Sequence, residues 1–351
     1  MPSIAKPIAK HPTLQKNALG LTIRDYEGSM STLCAGCGHD SVTAGIIRTL
    51  WELSTPPHMI AKLSGIGCSS KTPTYFVGGA HGFNSAHGRM PAIASGAIAA
   101  NRDLTYIGIS GDGDSLSIGL GQLCHAIRRN LKMVYVIENN GVYGLTKGQF
   151  SASSDVGSKS KRGEANLMAP IDPVSMALSI GATFVARSFS GDKEQLVPIL
   201  KAAFSHNGFA LIDVISPCVT FNDHKGSTKS YLYTRQHAMR ATQTDFVPQQ
   251  REILASIGRN GATAVTMHDG SVIQFKQVPK DYDPTNRASV TRFLDEHRAT
   301  NQIVTGLLYV DPNSIDLHEM KKTSETPLRD LPYEELCPGA SVLDKLQEEY
   351  R

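Results

Sequence analysis

Apolar and polar positions follow a repeating order from about residue 30 to about residue 220. Short apolar runs predict strands at Met59–Leu63, Leu104–Ser110, Lys132–Ile137, Thr183–Phe189 and Ala210–Ile215. Between them a helical period predicts helices over Ser41–Leu53, Ser115–Arg129, Pro173–Ile180 and Lys193–His206. Val42, Ile46, Ile47 and Leu50 share one face of the first helix, and Leu196, Ile199, Leu200 and Ala203 one face of the last. Pro91–Ala100 is a further helix, whose small residues suit very close packing on a sheet. Alternating strands and helices predict an α/β fold, a doubly wound and mostly parallel sheet with helices on both faces.

The ends read differently. Residues 1–30 are expected to form an extended arm, and residues 31–225 the α/β domain. Residues 226–351 are expected to be a less regular extension at a subunit interface. Within it, Val272–Phe275 is a short strand after the Asp269-Gly270 turn signal, and Ile303–Val310 is another. After Gly148, the polar stretch Ser151–Glu164 reads as a surface loop or as a mobile segment over a site.

Charge changes the picture only by exclusion. Of 351 residues, basic and acidic ones leave a net charge of +3, intermixed, which gives no footprint for nucleic acid. Met1–Gly20 lacks an apolar signal-peptide core, and Pro91–Ala100 is too short to cross a bilayer. The expectation is a cytoplasmic protein with no membrane contact. In that setting six cysteines point to metal or catalysis rather than disulfides.

The chemistry gathers at strand ends. Gly111-Asp112-Gly113-Asp114 follows one strand, and Asn139-Asn140 follows the next. In a parallel sheet both loops fall on the carboxyl edge, where ligands bind. Asp112 and Asn140 are then two hard oxygen donors suited to Mg²⁺ carrying a diphosphate, and the glycines allow close backbone approach. Asn140 follows Asp112 by 28 residues. The strand before, the helix after and the Asn pair together resemble the thiamine diphosphate motif.

Four cysteines share that edge. Cys34 and Cys37 precede a helix, and Cys68 and Cys218 each follow a strand. Cys124 sits inside a predicted helix as small core packing, and Cys337 lies in the tail. Four converging thiolates suit either Zn²⁺ or a 4Fe–4S cluster. Beside a thiamine cofactor the cluster is the better reading, because electrons leaving the cofactor need a one-electron carrier.

The whole set resembles the β subunit of a 2-oxoacid:ferredoxin oxidoreductase. The likeness rests on Cys34-Ala35-Gly36-Cys37-Gly38-His39, Gly65-Ile66-Gly67-Cys68-Ser69, His87-Gly88-Arg89, Gly111–Asp114, Asn139-Asn140, Val142–Gln149 and Ser216-Pro217-Cys218. Ala35 departs from the proline common there and leaves both thiols in place. The resemblance implies Mg²⁺ on Asp112, the Asn140 side chain and the Val142 carbonyl. It implies a diphosphate against Gly111, Gly113, Asp114 and the helix from Ser115. Tyr143, Gly144 and Leu145 would continue the cofactor loop. Ile66 and Gly67 would flank the thiazolium, and His87 would sit in the same cleft. Cys34, Cys37, Cys68 and Cys218 would hold one 4Fe–4S cluster.

The resemblance further implies an α subunit that supplies the aminopyrimidine-binding domain and the activating glutamate. An (αβ)2 assembly, ferredoxin as acceptor and coenzyme A as acyl acceptor follow with it. Lys71 is the first candidate to pair a distal carboxylate, with Arg89 and Lys147 behind it, which favours 2-oxoglutarate and its conversion to succinyl-CoA and CO2. The alternatives are pyruvate or a branched 2-oxoacid, a non-redox thiamine enzyme half with structural zinc, and a non-catalytic iron–sulfur scaffold.

Overall fold

The computed structural model describes residues 4–7, 10–159, 163–248, 263–275, 279, 281–337 and 339–350. Parts of the arm (1–3, 8–9), of the predicted 151–164 loop (160–162) and of the C-terminal extension (249–262 among them) lie outside the described residues.

In chain order the strands are β1 Ile60–Ser64, β2 His81–Asn84, β3 Thr105–Gly111, β4 Met133–Asn139, β5 Val142–Tyr143, β6 Gln149–Phe150 and β7 Phe184–Phe189. They continue as β8 Phe209–Ile215, β9 Ala238–Arg240, β10 Thr244–Val247, β11 Thr263–Thr266, β12 Val272–Phe275 and β13 Ile303–Val310. Eight of them form one sheet in the order β2-β1-β3-β4-β8-β7-β13-β9. From β2 to β7 every neighbour is parallel, while β13 runs antiparallel to β7. Strands β9 and β13 lie beyond residue 225 and extend the same sheet.

Both faces are covered, as the pattern predicts. Successive strand residues go to opposite sides because the side-chain period is two. Val134 and Val136 join the cluster under the helices Gly38–Glu52 and Lys193–Ser205. Met133, Tyr135 and Ile137 join the one under Met90–Ala100, Leu120–Arg128, Pro173–Ser179 and Arg287–Ala299. Strands buried on both faces explain the unbroken apolar runs of the sequence. The predicted inward faces hold: Val42, Ile46, Ile47, Leu50, Leu196, Ile199, Leu200 and Ala203 are all buried.

Three local expectations need correction. The segment from Ser115 to Arg129 is not one α-helix. A π-helical turn, Gly113–Ile118, gives way at Gly119 to the α-helix Leu120–Arg128. The junction requires glycine, since a Cβ on Gly119 would lie 2.8 Å from the Asp114 carbonyl oxygen and 2.9 Å from Gly88 Cα. The helix Met90–Ala100 approaches the sheet mainly at its start. A Cβ on Gly108 would lie 2.6 Å from Met90 Sδ, whereas Gly96, Ala99 and Ala100 are exposed. Cys124 is half-buried rather than core.

The arm is tied down at its end. Tyr26 is buried, and its hydroxyl donates to the Thr55 carbonyl at 2.8 Å. The buried Lys62 ammonium donates to the carbonyls of Phe76 and Val77 at 2.7 and 2.8 Å, bracing the chain after Lys71. There Val77 holds a φ of 38°, costly for a β-branched residue. Among the described residues no helix is long and apolar enough to cross a membrane.

Candidate functional site

The carboxyl ends of β1, β3 and β4 open onto one narrow cleft. It is lined by Ile66, Gly67, Cys68, Gly111, Asp112, Gly113, Asp114, Asn140, Val142, Tyr143 and Gly144, with His39 and Ser69 added. All thirteen residues fall within the motifs read from the sequence, and all but His39 and Ser69 are assigned a site role there. Leu145 and His87 are exposed and do not line it, and Lys71 is half-buried beside it.

Asp112 follows β3 and is only 1 % exposed. Its Oδ2 accepts hydrogen bonds from the Ser151 and Ser153 hydroxyls, the latter at 2.6 Å. The Asn140 amide donates to Oδ1 at 3.4 Å, joining the two predicted donors across the strand ends. Burial pushes the Asp112 carboxyl up, and the bonds from Ser151, Ser153 and Asn140 oppose that rise. A buried carboxylate beside an amide oxygen and a backbone carbonyl is a hard, all-oxygen donor set. It fits Mg²⁺.

The glycines are required by close approach. A Cβ on Gly113 would overlap the Tyr143 ring, whose hydroxyl donates to the Gly113 carbonyl at 2.9 Å. Asp114 lines the cleft, where the resemblance places the diphosphate, and also braces the surrounding chain. Its carboxylate accepts from Gly88 N at 2.7 Å, Ile66 N at 3.2 Å and Ser110 Oγ at 3.0 Å. It ties the Ile66 and Gly88 loops to the end of β3.

Two of the four thiols meet at Gly144. A Cβ there would lie 3.4 Å from Cys218 Sγ and 3.6 Å from Cys68 Sγ. Burial raises the Cys68 thiol, Cys218 and Cys34 raise it further, and Lys71 lowers it. Burial likewise pushes Cys37 up to about 12, and Cys218 adds to the rise. Each thiol therefore lies in the field of another, and a bound cation would reverse the effect. Among the described residues no group of three or more His, Cys, Asp or Glu side chains forms a ready-made metal site. Thr220 donates to Cys34 Sγ at 3.6 Å. Cys337 is exposed, away from this edge.

Several residues here are given no role in the sequence reading. His39 Nδ1 lies 2.6 Å from Ser216 Oγ, and burial holds its imidazole neutral down to about 4. Glu138 is fully buried, and burial raises its carboxyl well above the usual range. Thr72 donates to it at 2.9 Å. Ser151, Ser153 and Ser154 are buried, so the start of the predicted 151–164 surface loop is folded into the site. Their cue was the uncharged Ser-Ala-Ser-Ser stretch, which is unlike the basic remainder of that loop.

Known proteins can now be set beside this geometry. Residues 65–214 match the model of the thiamine pyrophosphate enzyme C-terminal TPP-binding domain. The chain is 42% identical over 220 residues to the 2-oxoglutarate oxidoreductase subunit KorB of Mycobacterium tuberculosis, over 60% of this chain and 58% of that one. It is 41% identical over 207 residues to a 2-oxoacid:ferredoxin oxidoreductase subunit beta of Saccharolobus solfataricus, over 59% of this chain and 67% of that one. The match thus spans little more than half of the mycobacterial relative. A solved 2-oxoglutarate:ferredoxin oxidoreductase from Magnetococcus marinus, with 2-oxoglutarate, coenzyme A and succinyl-CoA bound, superposes with a TM-score of 0.70 at 27% identity, covering 92% of this chain and 97% of that one. With the cleft, the sheet and these relatives in agreement, the chain belongs to the β subunits of the 2-oxoacid:ferredoxin oxidoreductases.

Proposed function

We propose that this chain is the cofactor-holding half of an oxidoreductase that converts 2-oxoglutarate and coenzyme A to succinyl-CoA and CO2 and reduces ferredoxin. The observation that carries it is the meeting of two sites at one sheet edge. Asp112 and Asn140 converge there, and Gly144, four residues on, touches the space between Cys68 and Cys218.

Asp112, the Asn140 side chain and the Val142 carbonyl would hold Mg²⁺, with the diphosphate against Gly111 and Gly113. Cys34, Cys37, Cys68 and Cys218 would hold a 4Fe–4S cluster. When bound, thiamine diphosphate supplies an electron sink for decarboxylation, and the cluster takes electrons one at a time. The chain's own residues do the positioning. Asp114 fixes the Ile66 and Gly88 loops against the cleft floor. Tyr143 lies over Gly113 and bonds its carbonyl, holding the two parts of the cofactor loop together. Lys71 lies in electrostatic range of Cys68 and would pair the distal carboxylate of a dicarboxylic substrate. His87, exposed beside the Gly88 loop, would be brought to the cofactor by an α subunit. That subunit would also supply the activating glutamate, in an (αβ)2 assembly acting in the cytoplasm.

The test is anaerobic viologen reduction by the co-purified complex with coenzyme A, offering 2-oxoglutarate, pyruvate and a branched 2-oxoacid separately. Coenzyme A-dependent reduction with 2-oxoglutarate alone is expected. Reduction with pyruvate alone would overturn the substrate assignment. No reduction by a complex shown to hold iron and thiamine diphosphate would overturn the reaction.

A further inference from the structure

The first asparagine of the Asn139-Asn140 pair has its own work. Asn139 is buried, and its Nδ2 donates to Asp213 Oδ1 at 3.0 Å. Asp213 can only accept, so this bond fixes the amide and turns Oδ1 the other way. That oxygen lies 2.9 Å from Ser153 Oγ, which also lies 2.6 Å from Asp112 Oδ2. A hydroxyl has one proton. Ser153 therefore has two acceptors and can satisfy one at a time.

Asp213 is itself held. Arg187 Nε donates to its Oδ2 at 2.8 Å, and the same guanidinium pairs with Asp172, which Arg298 meets at 2.8 Å. Burial alone would raise Asp172, but Arg187 and Arg298 outweigh it and bring it down to about 2. The chain Asp112–Ser153–Asn139–Asp213–Arg187 is thus a continuous polar run from the cleft into the protein.

We infer that Asp213 is a positioning residue for the metal–diphosphate site, acting through Asn139 and Ser153. When Asp112 turns its Oδ2 to a cation, the Ser153 hydroxyl rotates and donates to Asn139 Oδ1 instead. Ser153 is then not left as an unpaired buried hydroxyl, a state that is costly in a protein interior. The inference rests on the cofactor reading of the Asp112–Asn140 cleft.

Asp213→Asn removes one acceptor while keeping the shape. Its single carbonyl oxygen can serve Asn139 or Arg187, not both. The measurement is the dissociation constant of thiamine diphosphate with Mg²⁺, titrated calorimetrically into the apo complex. Asp213→Asn should weaken binding by roughly tenfold, the scale of one unpaired buried group. In a Ser153→Ala background the same change should shift it less than about twofold, because the proton being steered is gone. Should Asp213→Asn fail to fold, Asn139→Leu replaces it in the same cycle. Unchanged binding in Asp213→Asn, or an equal loss in both backgrounds, would overturn the inference. Wild-type complex that shows no Mg²⁺-dependent binding would overturn the cofactor reading beneath it.

Discussion

His39 Nδ1 lies 3.7 Å from a carboxylate oxygen of Glu138, and at neutral pH this is not an ion pair. Burial lowers the imidazole to about 4, so His39 is neutral at pH 7, and burial raises the Glu138 carboxyl well above its usual range. Isosteric Glu138→Gln should therefore leave the melting temperature at pH 7 within about 2 °C of wild type, while a broken buried pair would cost on the order of 3–5 kcal/mol. Thermal melts of both proteins decide it.

His206 gives the pH dependence a sign. It is 2 % exposed, and burial lowers it from 6.5 to about 3. Its Nε2 meets Thr183 Oγ1 at 2.8 Å. The unfolded chain takes up a proton first, so the stability contribution is full above about 6.5 and is lost as pH falls towards 3. A His206→Gln variant should show a flatter fall in melting temperature between pH 6.5 and 4.5. An unchanged slope would assign the acid lability elsewhere.

Cys68 and Cys218 flank Gly144, whereas Cys124 and Cys337 lie away from it. Anaerobically purified Cys68→Ser and Cys218→Ser should lose most of their iron and acid-labile sulfide. Cys124→Ser and Cys337→Ser should keep both. Zinc in place of iron in the wild type would remove the cluster from the proposal.

Gly113 sits under the Tyr143 ring. Gly113→Ala must displace that ring and its bond to the Gly113 carbonyl. A loss of about 1–3 kcal/mol in stability is expected, the usual scale of overpacking. Adding Tyr143→Ala should recover much of it in denaturant melts.

Lys71 separates substrates. Lys71→Met should raise the KM for 2-oxoglutarate by about tenfold, the scale of one charge-assisted bond, and leave that for pyruvate unchanged. Equal changes in both would take Lys71 out of substrate recognition.

The sheet's central strands were legible because each is buried on both faces and reads as an apolar run. The Asp112–Asn140 pairing was legible because strand ends in a parallel sheet share an edge. Other parts left no such trace. Strand β2, His81-Gly82-Phe83-Asn84, is exposed throughout and has no apolar period. The π-helical turn after Asp112 ends at Gly119, which packs closely on Gly88, distant in sequence. The same holds for Asp213, whose partners Asn139 and Arg187 meet only once β4, β8 and β7 are side by side. In the three-stranded sheet β10-β12-β11, β12 was legible after the Asp269-Gly270 turn signal, whereas β10 and β11, four residues each, are too short for a period to stand out.

Val142 and Gly144 are two residues apart, so their Cα atoms are separated by at most about 7 Å. The short β5–β6 hairpin holds that piece of chain still. What the Val142 carbonyl would hold and what the thiols beside Gly144 would hold are thus tethered through two peptide bonds. In the proposed enzyme the span an electron must tunnel is a property of one polypeptide. Breathing of the quaternary structure would change who enters the site and when, without lengthening that first jump.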